Sequence, residues 1–88
     1  MDYQILVSGE RAFKCPSYAC CIGATSAGYS LYHAVGASRP ADADFTPFYD
    51  AEGTAVEVDA NHPLTVFCAQ GTWFMLKDNT DEEVPVTY

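Results

Sequence analysis

The chain has 88 residues, 49% of them hydrophobic and 14% aromatic, with twelve acidic residues against four basic ones and a net charge of −8. That length bounds a single domain, residues 1–88, and that composition excludes a disordered chain. Arg11, Lys14, Arg39 and Lys77 are scattered, so neither a nucleic-acid backbone nor an anionic membrane meets the basic cluster it requires.

The first element is "YQILV", where Tyr3, Ile5 and Val7 alternate with Gln4, Leu6 and Ser8 before the turn at Gly9. Its start, "MDYQILVSGE", has neither a basic leader region nor a long apolar run. A reducing cytoplasm, with reduced thiols, is therefore expected. Next comes "SYACCI", a strand with Tyr18, Cys20 and Ile22 on one face and Ala19 and Cys21 on the other. "GYSLYHAVG" alternates Tyr29, Leu31, His33 and Val35 against Ser30, Tyr32 and Ala34. The only room for a helix is one turn in "RPADADF".

Beyond it, Pro47 assigns "DFTPFYD" to a sheet edge or bulge. "TAVEVD" sets Thr54, Val56 and Val58 against Ala55, Glu57 and Asp59. "PLTVFCAQGTWFMLKD" reads as two strands joined near Gly71, apolar enough to be central. "VPVTY" is expected at an edge because of Pro85. The whole predicts an all-β fold: a small antiparallel β-sandwich, Ig-like or jelly-roll-like, of about seven or eight short strands.

Three of the four cysteines lie in "CPSYACCIG". Structural zinc needs two ligand pairs, and only one loose pair is present, so no metal is expected. Either Cys20 or Cys21 could pair with Cys68, but not both, since neighbours on a strand point oppositely. A nucleophile at Cys20, Cys21 or Cys68 would need His33 or His62 as its base, and no nucleophile motif surrounds them. The preferred reading is therefore buried, reduced strand cysteines, with no cofactor. The acidic runs "ADAD" and "DNTDEE" lack the calcium-loop pattern and read as solvated loops.

Six Tyr, five Phe and one Trp are many for a small core. Alternation turns some of them outward, where such rings serve protein–protein contacts. Tyr29, Tyr32, Phe48, Tyr49 and Trp73 are the interface candidates. Met1 to Val7 is a candidate strand for sharing between copies.

From "YSLYHAV" through "DFTPFYD", "TAVEV" and "GTWFMLKDNT" to "VPVTY", the layout resembles small β-sandwich proteins of tailed-phage virions, of the capsid-decoration or head-fibre type. That resemblance implies a non-enzymatic virion protein, assembled in the host cytoplasm. It would bind a capsid lattice or sister subunits, often as a trimer, with no nucleic-acid or membrane partner. Carbohydrate-binding sandwich modules share the layout and give the alternative function. A small Cys-dependent enzyme and an acidic DNA-mimicking inhibitor are the further alternatives.

Overall fold

A computed structural model describes residues 3–7, 9–15, 18–69, 71–78 and 82–88. Nine strands and one short 3₁₀ turn are found among them: β1 (Tyr3–Leu6), β2 (Ala12–Lys14), β3 (Ala19–Ile22), β4 (Tyr29–Val35), β5 (Thr46–Pro47), β6 (Glu57–Val58), β7 (Leu64–Phe67), β8 (Thr72–Lys77) and β9 (Val84–Thr87). The turn covers Asp42–Asp44, inside the segment where the sequence leaves room for one. The expected all-β architecture is present, as two antiparallel sheets of short strands packed into a sandwich.

The first sheet runs β1-β9-β3-β7. The second runs β2-β8-β4-β5, with β6 also paired to β4. β4 and β8 form its centre, in register from Ser30 opposite Lys77 to Val35 opposite Thr72. β5 and β6 share the other side of β4, and a bridge between Tyr49 and Ala55 joins the arm between them. Gly28 leads into β4 with a φ of +77°, and a Cβ there would stand 2.2 Å from the Val58 carbonyl oxygen. Only glycine allows β6 to lie so close at that point.

Both sheets turn alternate side chains into one core. Leu6, Cys20, Ile22, Val66, Val84 and Val86 come from the first sheet, and Phe13, Tyr29, Leu31, Phe74 and Leu76 from the second. Phe74 sits at the centre, 5.8 Å from Phe13 and 5.5 Å edge-on from Phe48.

Three expectations are corrected. β9 and β7 exchange the places expected of them: β9 lies between β1 and β3, despite Pro85, while β7, apolar enough to be expected at the centre, is the edge of that sheet. The Pro85 carbonyl accepts from Gly23 N at 2.8 Å, and a residue's N and O point to the same side of an antiparallel strand. The proline nitrogen therefore faces β3 just where β3 ends. The sequence reading also has no strand at Ala12–Lys14, because three residues are too few to show a period.

The third correction concerns sulfur. Cys68 pairs with neither Cys20 nor Cys21; it forms a disulfide with Cys15, with the Cα atoms 6.6 Å apart. Cys15 follows β2 in one sheet and Cys68 follows β7 in the other. Cys15 N donates to Thr72 O and Cys68 N to Tyr18 O, both at 2.8 Å, so the bond clamps the two sheets where β2 and β7 end. Cys20 lies opposite Val66, two residues from Cys68 along β7, and keeps its thiol.

Candidate functional site: the outer face of the first sheet

The four strands of the first sheet are "YQIL", "VPVT", "ACCI" and "LTVF". None of these residues carries a charge. In β1, Leu6 is the buried residue, while Tyr3 and Ile5 are exposed, as is Val7 just beyond. The more apolar face of this strand is therefore the one in water. Pro85 and Thr87 lie on the same side of β9, Ala19 and Cys21 of β3, and Thr65 and Phe67 of β7. The pairings Tyr3 with Thr87, Thr87 with Cys21, and Cys21 with Thr65 make one continuous row.

The face has relief. Phe67 stands out from it at 81% exposure, and Tyr3 and Ile5 form a second ridge on β1. Between them Ala19, Cys21, Thr65 and Thr87, with Tyr88 at the end, line a shallow apolar trough of about 240 Å³. Around the β7 edge the apolar surface continues into a depression of about 440 Å³, shared by Phe67, Tyr49, Phe48, Val56 and Leu64.

The second sheet treats its own outer face differently. Ala12, Met75, Trp73, Tyr32 and Ala34 make an apolar patch there, flanked by Lys14, Lys77 and Glu57, and Phe45 packs on that patch and closes it. The segment that carries Phe45 is tied down. Trp73 Nε1 donates to Gly36 O at 3.1 Å, Arg39 pairs with Glu10 at 3.2 Å and with Asp42 at 3.0 Å, and the Arg39 guanidinium lies 5.9 Å from the Phe45 ring centroid. Lys77 adds its ammonium over the Tyr32 ring at 5.1 Å. One apolar face is covered from within the chain. No described residue covers the other.

The residues singled out from sequence fall as follows. Tyr29 is a core residue, 5% exposed. Phe48 is partly buried against the core, edge-on to Phe74 and, at 5.1 Å, to His33. Tyr32 and Trp73 are half-buried beneath the 36–45 segment. Tyr49 is the one among them that stays largely in water, and it borders Phe67. Tyr3 to Leu6 pairs with β9 of its own chain, and no described strand pairs with its other edge; Met1 and Asp2 lie outside the described residues. The residues missed are Cys21 and Phe67, and Tyr3, Ile5 and Val7 were singled out only as part of the Met1 to Val7 strand. Their signal was the absence of charge from all four strands, which spelling out one strand at a time conceals.

The sulfur chemistry is quiet. Burial pushes the Cys20 thiol up to about 11, with neighbouring Cys21 adding to the shift. Burial likewise raises the Tyr29 hydroxyl, with Cys21 and Cys20 contributing. His33 is packed on Phe48, and His62 holds Ala60 O through Nδ1 at 2.9 Å. Among the described residues, no cluster of His, Cys, Asp or Glu is arranged to hold a metal ion. Among the same residues, no helix is long and apolar enough to cross a membrane. No protein-family model matches the chain, and no match is found among the curated proteins or the solved structures.

Proposed function

We propose that this protein is a non-enzymatic structural module that docks on other protein subunits through the uncharged outer face of its first sheet. The carrying observation is the contrast between the two faces. The chain spends a whole segment, Gly36 to Phe45, covering the apolar patch of its second sheet, while no described residue covers the outer face of the first. In a protein of net charge −8, a four-strand surface without one carboxylate is a place where partners approach unrepelled. The acidic loops, including Asp42, Asp44, Asp50 and Glu52, then face solvent and discourage unspecific association.

Attachment to a virion lattice, as the phage resemblance implies, is the form of docking we favour. The Cys15–Cys68 bond supports it, because disulfides persist at virion and extracellular surfaces and not in a reducing cytoplasm. The thiol chemistry supports a non-enzymatic role, since Cys20 is buried and protonated near neutrality. The test is co-sedimentation with protein particles isolated from the same source, comparing wild type with Ile5→Glu, beside a glycan array. Docking predicts particle binding that Ile5→Glu removes, and no glycan preference. A selective glycan signal, or particle binding indifferent to Ile5→Glu, would overturn the reading.

A further inference from the structure

We infer that the bare face is closed by a second copy of this chain, packed sheet on sheet about a two-fold axis along β3, with Phe67 of each copy seated in the other's trough. This deepens the docking reading and rests on it: the same face meets a sister copy before it meets the lattice, so the dimer must come apart for attachment.

Charge selects the face. Two copies at −8 each repel over most of their surfaces, and their described acidic residues all lie outside the first sheet. Only face to face do the carboxylates stay at the rims, where water screens them. A cationic partner would find nothing on this face to pair with, so the complement is itself neutral and apolar.

Shape selects the axis. The strand order β1-β9-β3-β7 puts β9 and β7 on either side of β3. Rotation about β3 lays each β7 over the partner's β9. Phe67 lies level with Ala19, at the end of the sheet where Tyr88 follows β9, and that is where the trough opens. A trough of about 240 Å³ accommodates a phenyl ring, and its small lining residues let the sheets approach to the ordinary packing distance of about 10 Å. One knob and one hole per copy satisfy each other reciprocally, as an isologous contact requires. Tyr3 and Ile5 remain at the rim.

Area sets the strength. Four strands ~4.8 Å apart and four residues long make a face of only a few hundred Å², below the ~800 Å² per partner of a stable interface, so the dimer is a weak and reversible one. The axis also sets Cys21 opposite the partner's Cys21. Cys21 is half-exposed, whereas Cys20 is buried, so a thiol reagent acting on the folded protein reaches the first alone.

The test uses the full chain with its disulfide intact, in sedimentation equilibrium from low micromolar to near-millimolar concentration and in treatment with a short bismaleimide. A reversible dimer is expected, cross-linked through Cys21 and not cross-linked in Cys21→Ser. Phe67→Glu should weaken the dimer by about 30-fold or more, as loss of an aromatic anchor that fills a pocket does. Phe67 is largely in water in the single chain, so circular dichroism of the variant should match wild type. A monomer at every concentration, a trimer, a dimer indifferent to Phe67→Glu, or a dimer that the bismaleimide does not bridge would overturn the inference. If the chain is monomeric and Ile5→Glu still abolishes particle binding, the docking reading stands and the second copy is not the occupant. If both fail, both fall.

Discussion

Gly23 and Pro85 fit each other where β3 ends against β9: a Cβ at position 23 would lie 2.8 Å from two carbons of the Pro85 ring. The backbone bond between them, Gly23 N to Pro85 O, is the last of that ladder. Gly23→Ala must displace the ring or the strand, at a cost of about 1–3 kcal/mol. Pro85→Ala should recover part of that loss, because most of the crowding comes from the ring. A double-mutant cycle by urea denaturation should give a coupling on the order of 1 kcal/mol. Independent, additive losses would show that the two residues do not constrain each other.

The Cys15–Cys68 bond closes a sequence separation of 53 residues and joins the two sheets. Chain entropy alone assigns such a link about 4 kcal/mol of stability. For a domain of this size that is a large share of the total. Reduction, or the double change of Cys15→Ala and Cys68→Ala, should lower the unfolding free energy by roughly that amount. Unchanged denaturation curves with and without reductant would refute the assignment.

How far the sequence could be read follows from where its period was long enough to show. β4 spans seven residues, and its alternation correctly grouped Tyr29 with Leu31 on one face, although that face is the inner one and Tyr29 was expected at an interface. Pro47 correctly marked an edge strand, since β5 ends its sheet. Pro85 carried the same signal and misled, because the order of strands in a sheet is a long-range property that no local rule contains. The disulfide was hidden for a related reason. Its first cysteine follows β2, a strand of three residues, and the adjacent pair Cys20–Cys21 drew attention to the wrong strand. The candidate face was legible only in part: Tyr3, Ile5 and Val7 were grouped correctly, but nothing local indicates that this group faces water and that Leu6 faces the core.

The pH response should reflect the raised acidities of Cys20 and Tyr29. Cys20 keeps its proton in the folded state up to about 11, against 9.0 for an ordinary thiol. The unfolded chain therefore loses that proton first as pH rises. Stability is fully present below pH 9 and declines between 9 and about 11, with a slope of at most ~1.4 kcal/mol per pH unit from this group. Tyr29, also raised, extends the decline to higher pH. Cys20→Ala should flatten the curve between pH 9 and 11, whatever it does to the plateau. A plateau that stays level through this range in wild type would contradict the burial of the thiol.

Arg11 holds Asp78 with two nitrogens, one at 3.2 Å through Nε, and donates to Glu82 O at 2.6 Å. Asp78 is only 3% exposed at its side chain and Arg11 12%. A pair this dry loses much more when one partner is removed than an exposed pair does. Arg11→Met should cost roughly 3 kcal/mol, and Arg11→Met with Asp78→Asn should recover part of it, since the remaining side chain then carries no buried charge. A loss below about 0.5 kcal/mol, the range of ordinary surface changes, would mean that water reaches the pair freely.

The cover on the second sheet permits a converse experiment. Phe45 is the side chain that closes Ala12, Met75 and Trp73 from water, and Arg39 with its two carboxylates holds the segment in place. Phe45→Ser removes the closure while leaving the shared core of Phe74, Ile22 and Leu31 intact. The β-sandwich should persist by circular dichroism, with Trp73 fluorescence shifted to the red. A second apolar face should then become available, so the variant should bind hydrophobic dyes and associate further as concentration rises. Adding Phe67→Glu should leave this new association in place, because it removes only the contact made by the opposite face. If Phe45→Ser behaved as wild type in all three measurements, the 36–45 segment would not be a cover, and the contrast between the two faces would lose its meaning.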